Sequence, residues 1–403
     1  MPLPVLGAQI AFGDAAQIAF GDAAQIAFGD CAGGGEGGAE GRPGSQEILG
    51  GFPPSRAFGP RELAPHEPSH TSANGACTRE LLQEERMPRF PTRLIAFSIL
   101  AVLAAPSTLI AQTADAWPRA LRDDMGTALI IAKKPQRIVS VTLPTDEILL
   151  ALVEKQRLAA VTGFSQDGAV SNIAAQVSDV PVKLSQLNVE VIVSLRPDIV
   201  FVADWSDASS VRQLRDAGLA VYQFKSPFDV KEIQAGIARI AAAVGEEVKG
   251  KALVQWMEGK LAAVASRLAG LPPGKRLTVM DYNTWNSSMG RGSSWDEIVR
   301  LAGLENAVAG LSADQYGSVP ISKEKLLELD PCILILPGWV YGDPAGADSF
   351  YSTILNDPAL RHMKAVREAR VHRIAERTKS STSQYMVLAI EELAHYAYPE
   401  LFR

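Results

Sequence analysis

The chain has 403 residues, with 39 Lys and Arg against 45 Asp and Glu, so its formal net charge is -6. This balance excludes a nucleic-acid-binding protein of the basic kind, which would carry a strong excess of Lys and Arg. Three cysteines and 33 glycines also exclude a disulfide-rich scaffold and a collagen-like chain. All six Trp and all eight Tyr lie at or after Trp117, which divides the chain into two parts of different composition.

Residues 1–86 are of low complexity. Residues 8–31 repeat an eight-residue unit as AQIAFGDA, AQIAFGDA and AQIAFGDC, and a Gly- and Pro-rich polar stretch follows. Solenoid repeats usually have 20 residues or more, and a unit of eight residues does not form a supersecondary unit. Such a sequence buries too little apolar area to offset the chain entropy lost on folding. We predict an extension outside the folded protein, either translated upstream DNA or a surface-attachment segment.

Residues 87–116 have the pattern of a secretory signal peptide. Two arginines follow Met87, residues 94–105 form an apolar run, and residues 114–116 place alanines at the two positions that a signal peptidase reads. The run is shorter than the about 20 residues of an ordinary membrane-spanning helix. No Cys ends the run, which disfavours a lipid anchor. We predict export to the periplasm, with cleavage before Trp117.

From Trp117 onward, short apolar runs alternate with amphipathic stretches. This alternation predicts an α/β fold with mainly parallel sheets. Two helix starts are predicted: Thr145 precedes two acids, and Ser294 with Glu297 forms a capping box. The predicted strands are Arg137–Val141, Leu158–Thr162, Asp198–Ala203, Val221–Phe224, Leu277–Asp281, Cys332–Leu336 and Val371–Ile374.

The alternation stops between residues 229 and 269, where apolar side chains recur at helical spacing. We predict a long interlobe helix here, with Gly245 and Gly250 as the places where it would break. This helix would join an N-terminal lobe, residues 117–228, to a C-terminal lobe, residues 270–403. A ligand cleft is expected between the two lobes.

An internal repeat relates the lobes. Residues 188–199, NVEVIVSLRPDI, align without a gap with residues 322–333, SKEKLLELDPCI. In each copy a capping residue is followed two positions later by Glu, then by apolar helix positions, Leu-x-Pro and a buried strand. A Trp stands fifteen residues after each Glu.

The repeat marks two equivalent pairs, Glu190 with Trp205 and Glu324 with Trp339. Because a helix runs antiparallel to the strand that follows it, each Glu and its Trp should lie at one sheet edge. Ligands of open α/β sheets bind outside the carboxyl ends of the strands. We therefore expect the two Trp to line the cleft and the two Glu to lie on its outer rim. Two alternatives stay open. Each Trp could pack within its own lobe, and each Glu could be favoured by the helix dipole alone.

Further ligand candidates belong to the C-terminal lobe. Tyr282 and Trp285 follow a predicted strand, and Tyr316 and Tyr341 lie in Gly-containing loops near the same edge. Arg291 stands between two glycines ahead of a helix start, where a guanidinium can bind an anionic catecholate, hydroxamate or propionate. The alternative is a solvated loop arginine. A dinucleotide-binding loop is rejected because a Trp takes the place of the third glycine.

Six stretches between Arg137 and Phe402 together resemble the periplasmic substrate-binding proteins of ABC importers for ferric siderophores, haem and vitamin B12. The resemblance implies two α/β lobes joined by one long helix. It also implies a non-catalytic receptor that captures a metal complex and delivers it to a permease with its ATPase subunits. The stretches are PQRIVSVTLPTDEILLAL, LNVEVIVSLRPDIVFV, GRGSSWDEIVRLAGLENAV, ISKEKLLELDPCILIL, DPALRHMKAVREARVHRI and SQYMVLAIEELAHYAYPELF.

The same resemblance implies roles for particular residues. In this family one glutamate per lobe docks against arginines of the permease, and Glu190 and Glu324 stand at the matching positions. The expected ligand is a ferric siderophore, with a corrinoid or haem as alternatives. No intrinsic cofactor, no metal site and no nucleic-acid partner are expected, and the chain is predicted to work as a monomer.

Other classes of protein fit the sequence less well. A hydrolase would want a Gly-x-Ser-x-Gly motif, which does not occur. A carrier of bare zinc or manganese would want clustered ligands, whereas His362, His372 and His395 are scattered. A secreted enzyme of unknown chemistry on the same two-lobed frame stays as the alternative. Chemistry after ligand binding would distinguish that enzyme from a receptor.

Overall fold

The structure, a computed structural model, describes residues 116–272 and 274–403. The predicted extension and the predicted signal peptide up to residue 115 lie outside these residues. Within the described part of the chain, no helix combines the length and the apolar character that crossing a membrane requires.

The N-terminal lobe is built around one parallel sheet. Its strands are β1 Arg119–Arg122, β2 Ala128–Ile131, β3 Ile138–Ser140, β4 Leu158–Thr162, β5 Val182–Leu184, β6 Ile199–Ala203 and β7 Val221–Phe224. Its helices are α1 Leu143–Leu152, α2 Val189–Ser194, α3 Ala208–Asp216 and α4 Val230–Val244, with short 3-10 turns at Lys155–Arg157 and Gly163–Gln166. Strands β3 to β7 pair in the order β5-β4-β3-β6-β7, and β1 and β2 form a separate antiparallel hairpin. The chain leaves β3 for β4 on one side and returns to β6 on the other, so a topological switch point lies at the end of β3.

The C-terminal lobe has a smaller parallel sheet. Its strands are β8 Thr278–Asp281, β9 Ser287–Met289, β10 Glu305–Asn306, β11 Ser318–Pro320, β12 Ile333–Pro337 and β13 Val371–Ile374. Its helices are α6 Ser294–Leu301, α7 Lys323–Leu329, α8 Gly346–Asn356, α9 Lys364–Arg367, α10 Glu376–Lys379 and α11 Met386–Ala397, followed by a 3-10 turn at Pro399–Leu401. The sheet order is β10-β8-β12-β13, and β9 pairs with β11 in an antiparallel ribbon. Strands β4, β6 and β12 are buried at every residue, as expected of strands covered on both faces.

A 22-residue helix, α5 Glu247–Leu268, joins the two lobes. The segment predicted as one long helix is divided into α4 and α5 at Gly245, which closes α4 in the left-handed conformation with φ 72°. Buried apolar side chains of both sheets and of α5 form one cluster, which includes Phe201, Met257 and Val279. The core therefore continues from one lobe to the other along α5.

All seven predicted strands are present, each within one residue at either end. The α/β class with mainly parallel sheets is confirmed. The sequence patterns missed β1, β2, β5, β9, β10 and β11. These strands have two to four residues. Strands β1 and β9 are rich in Arg or Ser, so they carry no apolar run that could indicate a strand, whereas β2 (ALII) is apolar and was missed although its sequence fits a strand.

Both predicted helix starts are wrong. The cap of α1 lies three residues earlier than predicted, and the cap of α6 lies one residue earlier. Helix α1 begins at Leu143, because the Thr142 hydroxyl caps it and accepts a hydrogen bond from the Thr145 N–H at 3.3 Å. Helix α6 is capped by Ser293 rather than Ser294, and the Ser293 hydroxyl accepts from the Asp296 N–H at 3.2 Å. Gly292, the residue before Ser293, has φ 81°. A left-handed turn there brings the chain into the helix one residue early.

We expect Gly245→Ala to lower the free energy of unfolding by about 1–2 kcal/mol, because a side chain disfavours the left-handed conformation. The added Cβ would also lie 3.0 Å from Cζ2 of Trp117. Gly259 is the matched control, since it lies inside α5 and a Cβ there meets no atom within 4 Å. Gly259→Ala should stabilise by about 0.5–1 kcal/mol through helix propensity. Urea unfolding measures both changes, and equal effects would contradict the role of Gly245.

Candidate functional site

The repeat seen in the sequence forms equivalent structures in the two lobes. Asn188 caps α2 by accepting from the Val191 N–H, and Ser322 caps α7 by accepting from the Lys325 N–H. The two helices end in the same way, since Arg196 has φ 47° and its counterpart Asp330 has φ 38°. Positive φ is uncommon in non-glycine residues, so its occurrence at matching positions supports a true structural repeat.

The predicted docking glutamates are both exposed in the first turn of their helices. Glu190 lies in α2 and Glu324 in α7, each two residues after the cap. A hydrogen bond from the Ser322 side chain lowers the pKa of Glu324, so this carboxylate stays ionised at neutral pH. Their accessible charges at helix starts are available to a cationic partner.

The two predicted cleft tryptophans follow equivalent strands. Trp205 lies two residues after the end of β6, and Trp339 lies two residues after the end of β12. Both side chains are half-buried. They therefore leave the sheets at the carboxyl ends of central strands, which is the edge where ligands of parallel sheets bind.

Exposed aromatic rings are concentrated on the C-terminal lobe. The exposed fractions are 45% for Trp285, 51% for Tyr316 and 59% for Tyr341. Trp339 and Tyr341 contact each other edge to face, with ring centroids 5.9 Å apart. Exposure of large aromatic side chains is costly in water, and an apolar group that covers them gains their burial energy.

Two further candidates lie in less open positions. Tyr282 is only 5% exposed, its ring lies 5.8 Å from Phe350, and its hydroxyl donates to Asn286 Oδ1 at 2.7 Å. Arg291 is exposed in the loop before α6, and its Nε donates to the Ala309 carbonyl at 3.0 Å. Ligand contact by Arg291 stays a prediction. The burial of Tyr282 disfavours a direct contact between this side chain and a ligand.

Sequence reasoning missed a buried polar junction between the lobes. Glu147, in the first half of α1, is 0% exposed. Its carboxylate accepts from Ser383 Oγ at 2.5 Å and from Asn172 Nδ2 at 3.1 Å, while its carbonyl accepts from Gln384 Nε2 at 3.0 Å. Ser383 and Gln384 belong to the loop before α11, so these hydrogen bonds cross from one lobe to the other. The clue in the sequence was an acid pair after β3 and a polar run, ERTKSSTSQ, between β13 and the last helix.

More buried charges lie on the C-terminal side of this junction. Lys379 and Glu376 form an ion pair at 3.0 Å, and both are almost fully buried. Burial alone lowers the pKa of Lys379, but the carboxylates of Glu376 and Asp281 raise it overall. Burial raises the pKa of Asp281, which accepts from Ser288 Oγ at 2.7 Å. Asp281 ends β8, and Glu376 and Lys379 follow the end of β13. The backbone at Gly338, next to Trp339, lies close to the backbone of Ile374 and Glu376.

Asp146 makes stability depend on pH. Its Oδ2 accepts from the N–H and the hydroxyl of Thr162, whereas its buried Oδ1 has no hydrogen-bond partner. Burial raises its pKa from 3.8 to about 7. The folded state therefore holds a proton that the unfolded state loses, so this contribution is complete below pH 3.8 and is lost as the pH rises through about 7.

We expect Asp146→Asn to remove a slope of about 1.4 kcal/mol per pH unit between roughly pH 4 and 7, because Asn cannot titrate and still accepts from Thr162. The variant should therefore gain stability over the parent protein as the pH rises. Urea unfolding at half-unit pH steps measures the slope. Parallel curves for parent and variant would mean that Asp146 does not titrate in this window.

Among the described residues, no group of three or more His, Cys, Asp or Glu side chains is arranged to hold a metal ion.

Comparison with known families and proteins adds to this geometry. The family described as Periplasmic binding protein matches residues 138–378, from β3 through β13. The "Uncharacterized ABC transporter substrate-binding lipoprotein YvrC" of Bacillus subtilis is 24% identical over 300 residues, which cover 72% of this chain and 89% of that protein. A "Cobalamin-binding protein" of Halobacterium salinarum is 26% identical over 259 residues, which cover 61% of this chain and 68% of that protein.

A solved structure has the same fold. The molybdate-binding protein MolA of Haemophilus influenzae, bound to molybdate, superposes with a TM-score of 0.59 at 20% identity. The match covers 70% of this chain and 92% of MolA. At this identity the likeness concerns the fold alone.

Proposed function

Because the chain belongs to the periplasmic binding protein family and is a substrate-binding protein of the ABC-importer type, we propose that it captures a ferric siderophore between its lobes. The observation that carries the proposal is the duplicated placement of Trp205 and Trp339 after the central strands of the two sheets. Two indoles on separate lobes can enclose a ligand from both sides.

The exposed aromatic surface favours a large organic complex. Trp285, Tyr316, Tyr341 and Trp339 together offer rings whose burial by a ligand stabilises the complex, and a bare ion would cover little of this surface. The exposed guanidinium of Arg291 supplies a positive charge for an anionic chelator. A siderophore with aromatic or carboxylate groups meets both requirements.

A corrinoid is the second candidate ligand. It is favoured by the similarity to a cobalamin-binding protein over 259 residues. A corrin ring is flat and wide, so aromatic side chains could cover its faces. Haem shares these features and belongs in the same test.

Delivery to the membrane uses the two exposed glutamates. We assign Glu190 and Glu324 to docking on a permease, which works with its ATPase subunits. Exposed carboxylates at helix starts attract arginines and keep them oriented, and such contacts control recognition and association rate. The ligand is released unchanged, and the chain performs no chemistry on it. Export to the periplasm by the signal at residues 87–116 completes the proposal.

Ligand titration of the purified protein tests the proposal. Tryptophan fluorescence is followed while ferric siderophores, hemin, cyanocobalamin or molybdate is added, molybdate being the small-anion control. We expect one of the large complexes to bind at least about 100-fold more tightly than molybdate, a difference of about 2.7 kcal/mol. Mass spectrometry of the recovered ligand should show it unchanged. Tightest binding of molybdate would overturn the ligand class, and a modified ligand would favour the enzyme alternative.

A further inference from the structure

We propose that Glu147 is a positioning residue that holds the two lobes at a fixed separation. It lies on α1 of the N-terminal lobe, and its hydrogen-bond partners on the other side are Ser383 and Gln384 of the C-terminal lobe. No ligand group is involved, so this inference is independent of the proposed function.

The junction is held from both lobes. On the N-terminal side, Asn172 donates one Nδ2 hydrogen bond to Glu147 Oε1 at 3.1 Å and lies 3.4 Å from the Arg377 carbonyl of the other lobe. The guanidinium of Arg377 in turn donates to the Gly168 carbonyl at 3.4 Å. The short contact to Ser383 Oγ therefore lies at the centre of a set of hydrogen bonds between lobes.

Breaking this set of hydrogen bonds costs more free energy than the bonds themselves contribute. Glu147, Ser383 and Gln384 are at most 1% exposed, so any partner left behind would be a buried polar group without hydration. Gln384 Oε1 already lacks a partner in the described junction. Separation of the lobes at this point must therefore admit water, which makes the junction a two-state contact rather than a gradual one.

The charge of Glu147 sets which state is favoured. Burial raises its pKa well above the ordinary value, and the neighbouring charge of Asp146 on α1 adds to the shift. From the other lobe, the Tyr385 side chain faces it, and burial raises the pKa of that hydroxyl too, so it stays neutral. Arg377, from the same lobe as Tyr385, takes part in two hydrogen bonds of the junction. Its backbone carbonyl accepts from Asn172, and its guanidinium donates to the Gly168 carbonyl.

Burial in the closed junction therefore favours the protonated form of Glu147 over the ionised form. As the pH rises through its folded-state pKa, ionisation places an uncompensated charge in a sealed site, which is costly unless water enters. The lobes should loosen at alkaline pH and tighten at acidic pH. Burial also raises the pKa of Asp146, so each residue needs its own substitution.

Spin labels on the two lobes measure the separation directly. The full chain with Cys31, Cys77 and Cys332 replaced by Ser carries labels at Arg212→Cys on α3 and Ser352→Cys on α8, both exposed positions. Pulsed electron double resonance gives the distance distribution from pH 6 to 9, the range in which ionisation of a buried carboxyl is expected. Glu147→Ala should broaden or lengthen the distribution at every pH.

The neutral isostere separates position from charge. Glu147→Gln should keep the narrow distribution of the parent at pH 6 and lose the broadening at higher pH, while Asp146→Asn should retain that broadening. If Glu147→Ala fails to fold, Ser383→Ala takes its place with the same expectation. An unchanged distribution in the Ala variants, or pH-dependent broadening that survives in Glu147→Gln, would overturn the proposal.

Discussion

Replacing Trp205 and Trp339 together by Ala should weaken ligand binding about 1000-fold. Each indole at the centre of a contact surface typically contributes about 2 kcal/mol, and the two lie on separate lobes, so the effects of the single variants should nearly add. The free energy of unfolding should change little, because both side chains are only half-buried after the strand ends and lie outside the core. Isothermal titration with the preferred ligand measures the loss.

The matched control for this pair is Ile130→Ala. Ile130 is a large apolar side chain that is 70% exposed on the hairpin strand β2, which belongs to neither of the two sheets whose strands precede the tryptophans. Its truncation should leave ligand affinity unchanged. An equal loss of affinity in the control, or full affinity in the double variant, would remove the tryptophans from the binding site.

Reversing the charge of Glu190 and Glu324 together should abolish uptake by cells while leaving ligand affinity within about twofold of the parent protein. Arg at both positions would face the proposed arginines of the permease, so attraction becomes repulsion. Neither side chain packs against the core, since both lie exposed in a first helical turn. Uptake of radioactive ligand and titration of the purified variant measure the two effects separately.

The control for this change is Glu258→Arg with Glu400→Arg. Both residues are exposed acids outside the proposed docking helices, and the double change alters the net charge by the same amount. This control should transport normally. Loss of transport in the control would attribute the defect to net charge, and normal transport by the Glu190 and Glu324 variant would exclude docking through these residues.

The parts of the fold that follow from local sequence were predictable. Buried strands such as β4 and β6 appear as continuous apolar runs, and the caps Asn188 and Ser322 indicate where α2 and α7 begin. The repeat paired Trp205 with Trp339 because both copies keep the same number of residues between helix start and strand end. Spacing along the chain is enough to fix such positions.

Features that depend on contacts far apart in the chain were not predictable. Glu147 and Ser383 are 236 positions apart, so the acid pair after β3 and the polar run before α11 do not by themselves indicate that the two residues share a hydrogen bond. An acid at a helix start usually faces water, where the helix dipole explains it. Tyr282 was placed correctly after β8, but the direction of its ring toward Phe350 is decided by packing in the lobe.

The position of the bound ligand tests the central claim most directly. A crystal structure of the protein with the tightest ligand of the titration should show that ligand between the lobes, in van der Waals contact at about 4 Å with the indoles of Trp205 and Trp339. It should also show Glu190 and Glu324 free of the ligand. A ligand held on one lobe alone, or between the lobes with neither indole in contact, would contradict the account.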